Sequence, residues 1–114
     1  MSMTFKVREV GGVTIVDLSG KITMGEGSPT LREEVHKLVA EGKKKIVLNL
    51  ADVNYIDSSG LGELVSSYTS VKNSGGELKL LNLTSRVRDL LVITKLVTVF
   101  DVKDDEATAV SSFA

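Results

Sequence analysis

The sequence predicts an α/β fold: a mixed sheet of four or five strands that opens with an N-terminal β-hairpin and carries about four helices. Three observations point there. Gly11-Gly12 divides two β-patterned runs, and paired glycines supply the positive φ that a two-residue hairpin turn needs. Ile46-Val47-Leu48-Asn49-Leu50 is nearly continuously apolar between two helical patterns, which suits a central strand covered on both faces. From there strand and helix signals alternate to the C-terminus, giving the order β-β-α-β-α-β-α-β-α with parallel later strands.

Phe5 and Val7 mark the first strand, and Val13, Ile15, Val16 and Leu18 the second. Gly20 to Gly27 reads as a loop, after which Ser28 serves as N-cap and Pro29 takes the first helical position. Leu31, Val35, Leu38 and Val39 share one face of that helix, and Gly42 is placed as its left-handed C-cap. Lys43-Lys44-Lys45 complements the helix dipole and stays solvated. After the central strand, a helix starting near Ser58 shows Leu61, Leu64, Val65, Tyr68 and Val71 on one face and stops at Asn73-Ser74-Gly75-Gly76. Leu78 to Leu81 is the next strand. Thr84-Ser85 caps a short helix carrying Val87, Leu90 and Leu91. Val97-Thr98-Val99-Phe100, rich in β-branched residues, is expected as the last strand. Asp104-Asp105-Glu106 opens a final helix with Ala107, Val110 and Phe113 turned inward. No repeat, linker or low-complexity tract interrupts this order, so residues 1–114 are expected to form one domain.

Composition narrows the function classes. The 114 residues are 42% hydrophobic and only 4% aromatic without Trp, so Val, Leu and Ile must build the core. With 14 basic and 15 acidic residues the formal charge is −1, which gives no net field for nucleic acid or an anionic membrane. Cysteine is absent, removing disulfides, thiolate metal sites and cysteine nucleophiles together. Neither a signal-peptide core nor an 18-residue apolar run occurs, so a cytoplasmic protein without membrane insertion is the expectation.

Catalysis finds few tools. A serine hydrolase needs a general base, and the one histidine, His36, falls mid-helix at a surface or boundary position. The residues around Ser58 are not the Gly-x-Ser-x-Gly elbow of α/β-hydrolases. Asp101, Asp104, Asp105 and Glu106 read as helix-capping acids rather than metal ligands, and Gly20, Gly25 and Gly27 lack the Gly-Lys-Ser or Gly-Lys-Thr of a phosphate loop. No metal, cofactor or enzymatic activity is therefore expected. Asp57 after a strand invites comparison with a response-regulator receiver, but a receiver carries an acidic pair after its first strand, and this chain opens with a hairpin around Val10-Gly11-Gly12-Val13.

The unusual stretch is Asn54-Tyr55-Ile56-Asp57-Ser58-Ser59-Gly60-Leu61-Gly62. Asp57, Ser58 and Ser59 can each accept a hydrogen bond from free N–H groups at the start of the helix, where the dipole also favours an anion such as a phosphate. Gly60 and Gly62 cost about 1 kcal/mol each relative to Ala in a helix. Close approach by another surface would account for them. On these residues alone the stretch serves equally as a helix cap with packing glycines or as a binding or modification site. Either serine hydroxyl could be the cap while the other faces outward.

Three runs, Ile46 to Leu50, Tyr55 to Gly62 and Lys72-Asn73-Ser74-Gly75-Gly76-Glu77-Leu78-Lys79-Leu80, together resemble the STAS family, named for sulfate transporters and anti-sigma-factor antagonists. Within it the chain is most similar to the free-standing bacterial antagonists. The resemblance spans the hairpin, Gly20-Lys21-Ile22 and Phe100-Asp101-Val102, and its specific part is the Asp-Ser-Ser-Gly-Leu-Gly run.

What the resemblance implies is a partner switch. In such antagonists the serine after the aspartate is phosphorylated by an anti-sigma factor with serine-kinase activity, and a PP2C-type phosphatase removes the phosphate. The unmodified form binds the anti-sigma factor and releases the sigma factor. Carried over, the phosphoacceptor is Ser58, and the partner-binding surface comprises Asp57, Ser59, Gly60, Leu61 and Gly62, with Thr23 nearby. Thr23 is a departure, because many of these proteins carry an aspartate there. The alternative from another class is a STAS domain acting as a non-catalytic structural subunit of a transporter or signalling assembly, without a phosphorylation cycle. Nucleotide binding by the domain itself has no motif in its support.

Overall fold

In a computed structural model, which describes residues 3–113, the chain turns first at Gly11 and Gly12. Their φ values of 56° and 82° lie where side chains are disfavoured, and they set β1 (Thr4–Val10) antiparallel to β2 (Val13–Ile22) with Val10 opposite Val13. The β2 strand then pairs in parallel with β3 (Lys45–Ile56), which pairs in parallel with β4 (Glu77–Leu81), and β4 with β5 (Asp101–Lys103). The result is a mixed five-stranded sheet in the order β1-β2-β3-β4-β5. Its crossovers are α1 (Gly27–Ala40), α2 (Ser58–Asn73) and α3 (Ser85–Ile93), and α4 (Glu106–Ser111) ends the fold.

The larger core lies between the sheet and α1 to α3. Leu48, Leu64 and Leu80 are fully buried there with Leu31, Val35 and Leu91, all aliphatic as the scarcity of aromatics requires. A smaller core of Val13, Ile15, Val47 and Leu81 on the opposite face is closed by Ala109 and Phe113. Arg8 fastens α4 over this face: its guanidinium donates to Asp17 and Glu106, both at 2.6 Å for the nearer contact, while Asn49 donates to Asp17 at 2.8 Å.

Four local expectations are corrected. The last strand is not Val97 to Phe100: Leu96–Thr98 forms a 3₁₀ turn entered through Lys95 at φ 63°, and the strand begins at Asp101. Tertiary contacts override β propensity here, because Phe100 is drawn into the core edge-on to Tyr68 at 5.6 Å and Asp101 pairs with Lys79 at 2.6 Å, opposite its own register position. Next, α1 begins at Gly27 without a side-chain cap, and Ser28 is buried inside its first turn. The carbonyl of Thr23 takes the N–H groups of Ser28 and Glu26 at 3.0 and 3.3 Å, doing the work expected of a serine. The strands flanking that loop are also longer than their apolar patterns: β2 runs to Ile22 and β3 to Ile56, paired through Gly20↔Val53 and Ile22↔Ile56 across two register irregularities. In α4, finally, Ala109 is the buried alanine and Ala107 is exposed, while Phe113 packs inward from beyond the helix end.

Candidate functional site

The prolonged β2 and β3 deliver the 23–26 loop and the start of α2 to one end of the sheet, where the parallel β4 leads into the start of α3. Two glycines let the helices close on the last residues of β2. A Cβ at Gly27 would lie 2.3 Å from the Lys21 carbonyl oxygen, and one at Gly60 would lie 2.0 Å from the Ile22 carbonyl oxygen. The surface that Gly60 approaches is therefore the chain's own backbone. At Gly62 nothing lies within 4 Å of the corresponding position, and the residue is exposed.

Asp57 ties these segments together. It is the N-cap of α2, with extended backbone (φ −100°, ψ −176°), and its Oδ1 accepts the Gly60 N–H at 2.8 Å. Its Oδ2 accepts the Met24 N–H at 3.1 Å, so one carboxylate holds both the helix start and the neighbouring loop. Its own N–H donates to the Ile22 carbonyl at 3.3 Å. Donation from Gly60 first, with Met24 adding to it, holds the Asp57 carboxyl below its ordinary 3.8 against partial desolvation. The group is an engaged anion and is not poised as a proton acceptor.

The two serines that the sequence leaves equivalent differ in the fold. Ser58 is the first residue of α2, exposed, and its hydroxyl has no hydrogen-bond partner among the described residues. Ser59 is half-buried, and its hydroxyl donates to Ser28 Oγ at 3.3 Å, which is itself only 3% exposed. Leu61 turns into the core at 8% exposure, while Thr23 is half-buried and shapes the loop through its carbonyl. Sequence reasoning missed Met24, which stands 72% exposed beside Asp57. An apolar residue inside a run of loop residues was the available signal.

The start of α3 is pinned to the same end. Thr84 Oγ1 donates to the Val53 carbonyl at 3.0 Å and accepts the Val87 N–H at 3.4 Å, which places Arg86 over the ring of Tyr55, 5.5 Å from its centroid. Among the described residues no group of three or more His, Asp or Glu could hold a metal, and no helix is long and apolar enough to cross a membrane.

The chain and its fold have counterparts among known proteins. Residues 4–109 match the family model described as STAS domain. The anti-sigma-B factor antagonist of Bacillus subtilis is 35% identical over 102 residues, covering 90% of this chain and 92% of that protein. A Thermotoga maritima protein, provisionally described as an anti-sigma factor antagonist, superposes with a TM-score of 0.86 at 27% identity, over 94% of this chain and 92% of that one. The Bacillus cell-fate determinant SpoIIAA, solved in its phosphorylated form, shares the fold at a TM-score of 0.73 and 18% identity, over 97% of this chain and all of that one.

Proposed function

The chain belongs to the STAS-domain family, a family of non-catalytic regulatory domains, with anti-sigma-factor antagonists among its relatives, and from that premise we propose that it is itself such an antagonist, switched by phosphorylation of Ser58. Unmodified, it binds an anti-sigma factor with serine-kinase activity across the α2 start and the 23–26 loop, which frees the sigma factor. The carrying observation is the contrast between the two serines: the Ser58 hydroxyl is exposed and unengaged, and that of Ser59 is half-buried and given to Ser28.

The covalent step belongs to the kinase partner. Ser58 Oγ attacks the γ-phosphorus of ATP, the new O–P bond forms as the bond to the β-phosphate oxygen breaks, ADP leaves, and the hydroxyl proton passes to a base on the kinase. A PP2C-type phosphatase reverses the modification by hydrolysis. The phosphate adds a charge of about −1.5 to −2 at the first position of α2, where the helix dipole offsets part of its repulsion from Asp57. A docked partner has no such compensation. A surface packed over Met24 and the open ground at Gly62 would have to desolvate a dianion, and ~2.8 kcal/mol of lost binding already means a hundredfold in affinity. Thr23 places a neutral side chain in the loop, and Asp57 is the acidic residue adjacent to the phosphate in the chain.

Incubation with ATP and the serine-kinase anti-sigma factor of the same genome, followed by phosphosite mapping and binding measurements on both forms, tests this. Phosphate on Ser58 and at least hundredfold weaker binding are expected. Phosphate on Ser59 would move the site, and equal affinity of both forms would leave the structural-subunit reading in its place.

A further inference from the structure

The chain has four arginines, and three are matched to carboxylates: Arg8 to Asp17 and Glu106, Arg32 to Glu63 at 2.9 Å, and Arg88 to Asp104 at 3.0 Å. Arg86 alone has no acidic partner among the described residues and lies over Tyr55 instead, with both residues exposed. It also occupies the first turn of α3, where a cation opposes the helix dipole. At 5.5 Å from the ring centroid the guanidinium has no carboxylate on its N–H groups among the described residues, and its planar fork matches one. The stack is also anchored. Thr84 bonds the α3 start to β3 at Val53, two residues before Tyr55, so the backbone that carries the arginine is fixed beside the strand that carries the tyrosine. Tyr55 in turn stands two residues before Asp57 and three before Ser58, which by chain length keeps the Tyr55 Cα within about 11 Å of the Ser58 Cα.

We propose that Arg86, propped on Tyr55, binds an acidic side chain of the protein that docks over Ser58 and is a specificity determinant for that partner. The inference rests on the antagonist reading and deepens it by assigning the chemistry of the partner's contacting group. Exposed arginine and tyrosine are the residue types that most often carry binding energy in interfaces, and a carboxylate placed opposite Arg86 gains two charge-assisted hydrogen bonds without disturbing a pre-existing ion pair. A partner with a basic or apolar residue at that point would leave the guanidinium buried and unpaired, which discriminates against it.

The test uses the full chain and the purified serine-kinase anti-sigma factor of the same genome as probe, at low and at physiological salt. Arg86→Met, which keeps the stem on Tyr55, is expected to weaken binding on the order of tenfold and to flatten its salt dependence, while Arg86→Glu weakens it further. Arg86→Lys should restore part of the loss, and no variant should fall below the unsubstituted thermal midpoint, which separates partner contact from a structural role. Affinity and salt dependence unchanged in Arg86→Met and Arg86→Glu would overturn this inference while leaving the switch intact. Failure of the unsubstituted chain to bind would overturn both.

Discussion

Asp57 and Met24 are joined across 33 positions of sequence by one hydrogen bond, 3.1 Å from the Met24 N–H to a carboxylate oxygen whose companion caps α2. An exposed apolar side chain is thereby presented from a tethered backbone. Asp57→Ala should lower the thermal midpoint and speed hydrogen exchange at both the Met24 and Gly60 amides. Because the folded carboxyl titrates below its ordinary 3.8, its contribution is complete above that value and disappears as pH falls through the lower folded value. Protection of the Met24 amide that persists in Asp57→Ala would show that the tether does not hold the loop.

Gly60 and Gly62 should answer alanine substitution with opposite signs. At Gly60 the new Cβ meets the Ile22 backbone at 2.0 and 2.9 Å, which no rotamer relieves, so a loss of roughly 1–3 kcal/mol or more is expected. Gly62→Ala meets open space and should gain up to about 1 kcal/mol from helix propensity. Urea denaturation reads both, and partner binding of the stable Gly62→Ala protein then shows whether the open ground is used for docking.

Leu64 sits fully buried between α2 and the sheet. Leu64→Ala should cost about 2–5 kcal/mol through lost burial and the cavity left behind. A change below half a kilocalorie would mean that α2 packs by another face.

Arg8, Asp17 and Glu106 fasten α4 across the smaller core. Hydrogen bonding to Arg8 is the leading cause that lowers the pKa of both carboxyls, below 3.8 for Asp17 and below 4.5 for Glu106. The stability they contribute is present above those values and lost as pH falls through the folded ones. Arg8→Met should therefore lower the thermal midpoint at pH 7 and have little effect once both carboxyls are protonated in strong acid. An equal effect at both ends would assign Arg8 a packing role only.

Lys95 holds a left-handed conformation at φ 63°, which costs an ordinary residue roughly 1–2 kcal/mol. Lys95→Gly should raise stability by a fraction of that, since glycine gives back chain entropy. A lower midpoint would show that the lysine side chain contributes more than its backbone costs.

The sequence by itself determined what short-range physics controls. Paired glycines at positions 11 and 12 made a hairpin, the apolar run from Ile46 made a central strand, and Thr84 stood ahead of a helical pattern as a cap, whereas the cap of α2 stayed open among Asp57, Ser58 and Ser59. The Asp57 to Gly62 run also marked the site, because serines and glycines at a helix start are locally conspicuous. Only the tertiary structure decided matters that depend on residues distant in the chain. It set Phe100 on Tyr68 and so moved β5 to Asp101, and it put the Lys21-Ile22 backbone against Gly27 and Gly60, which leaves Ser28 inside α1 and gives its expected capping role to the Thr23 carbonyl. Ser58 and Ser59 show the division most plainly. Adjacent and identical in sequence, they part because successive helix positions point about 100° apart, one toward solvent and the other toward Ser28 on a helix that lies 31 residues earlier in the chain.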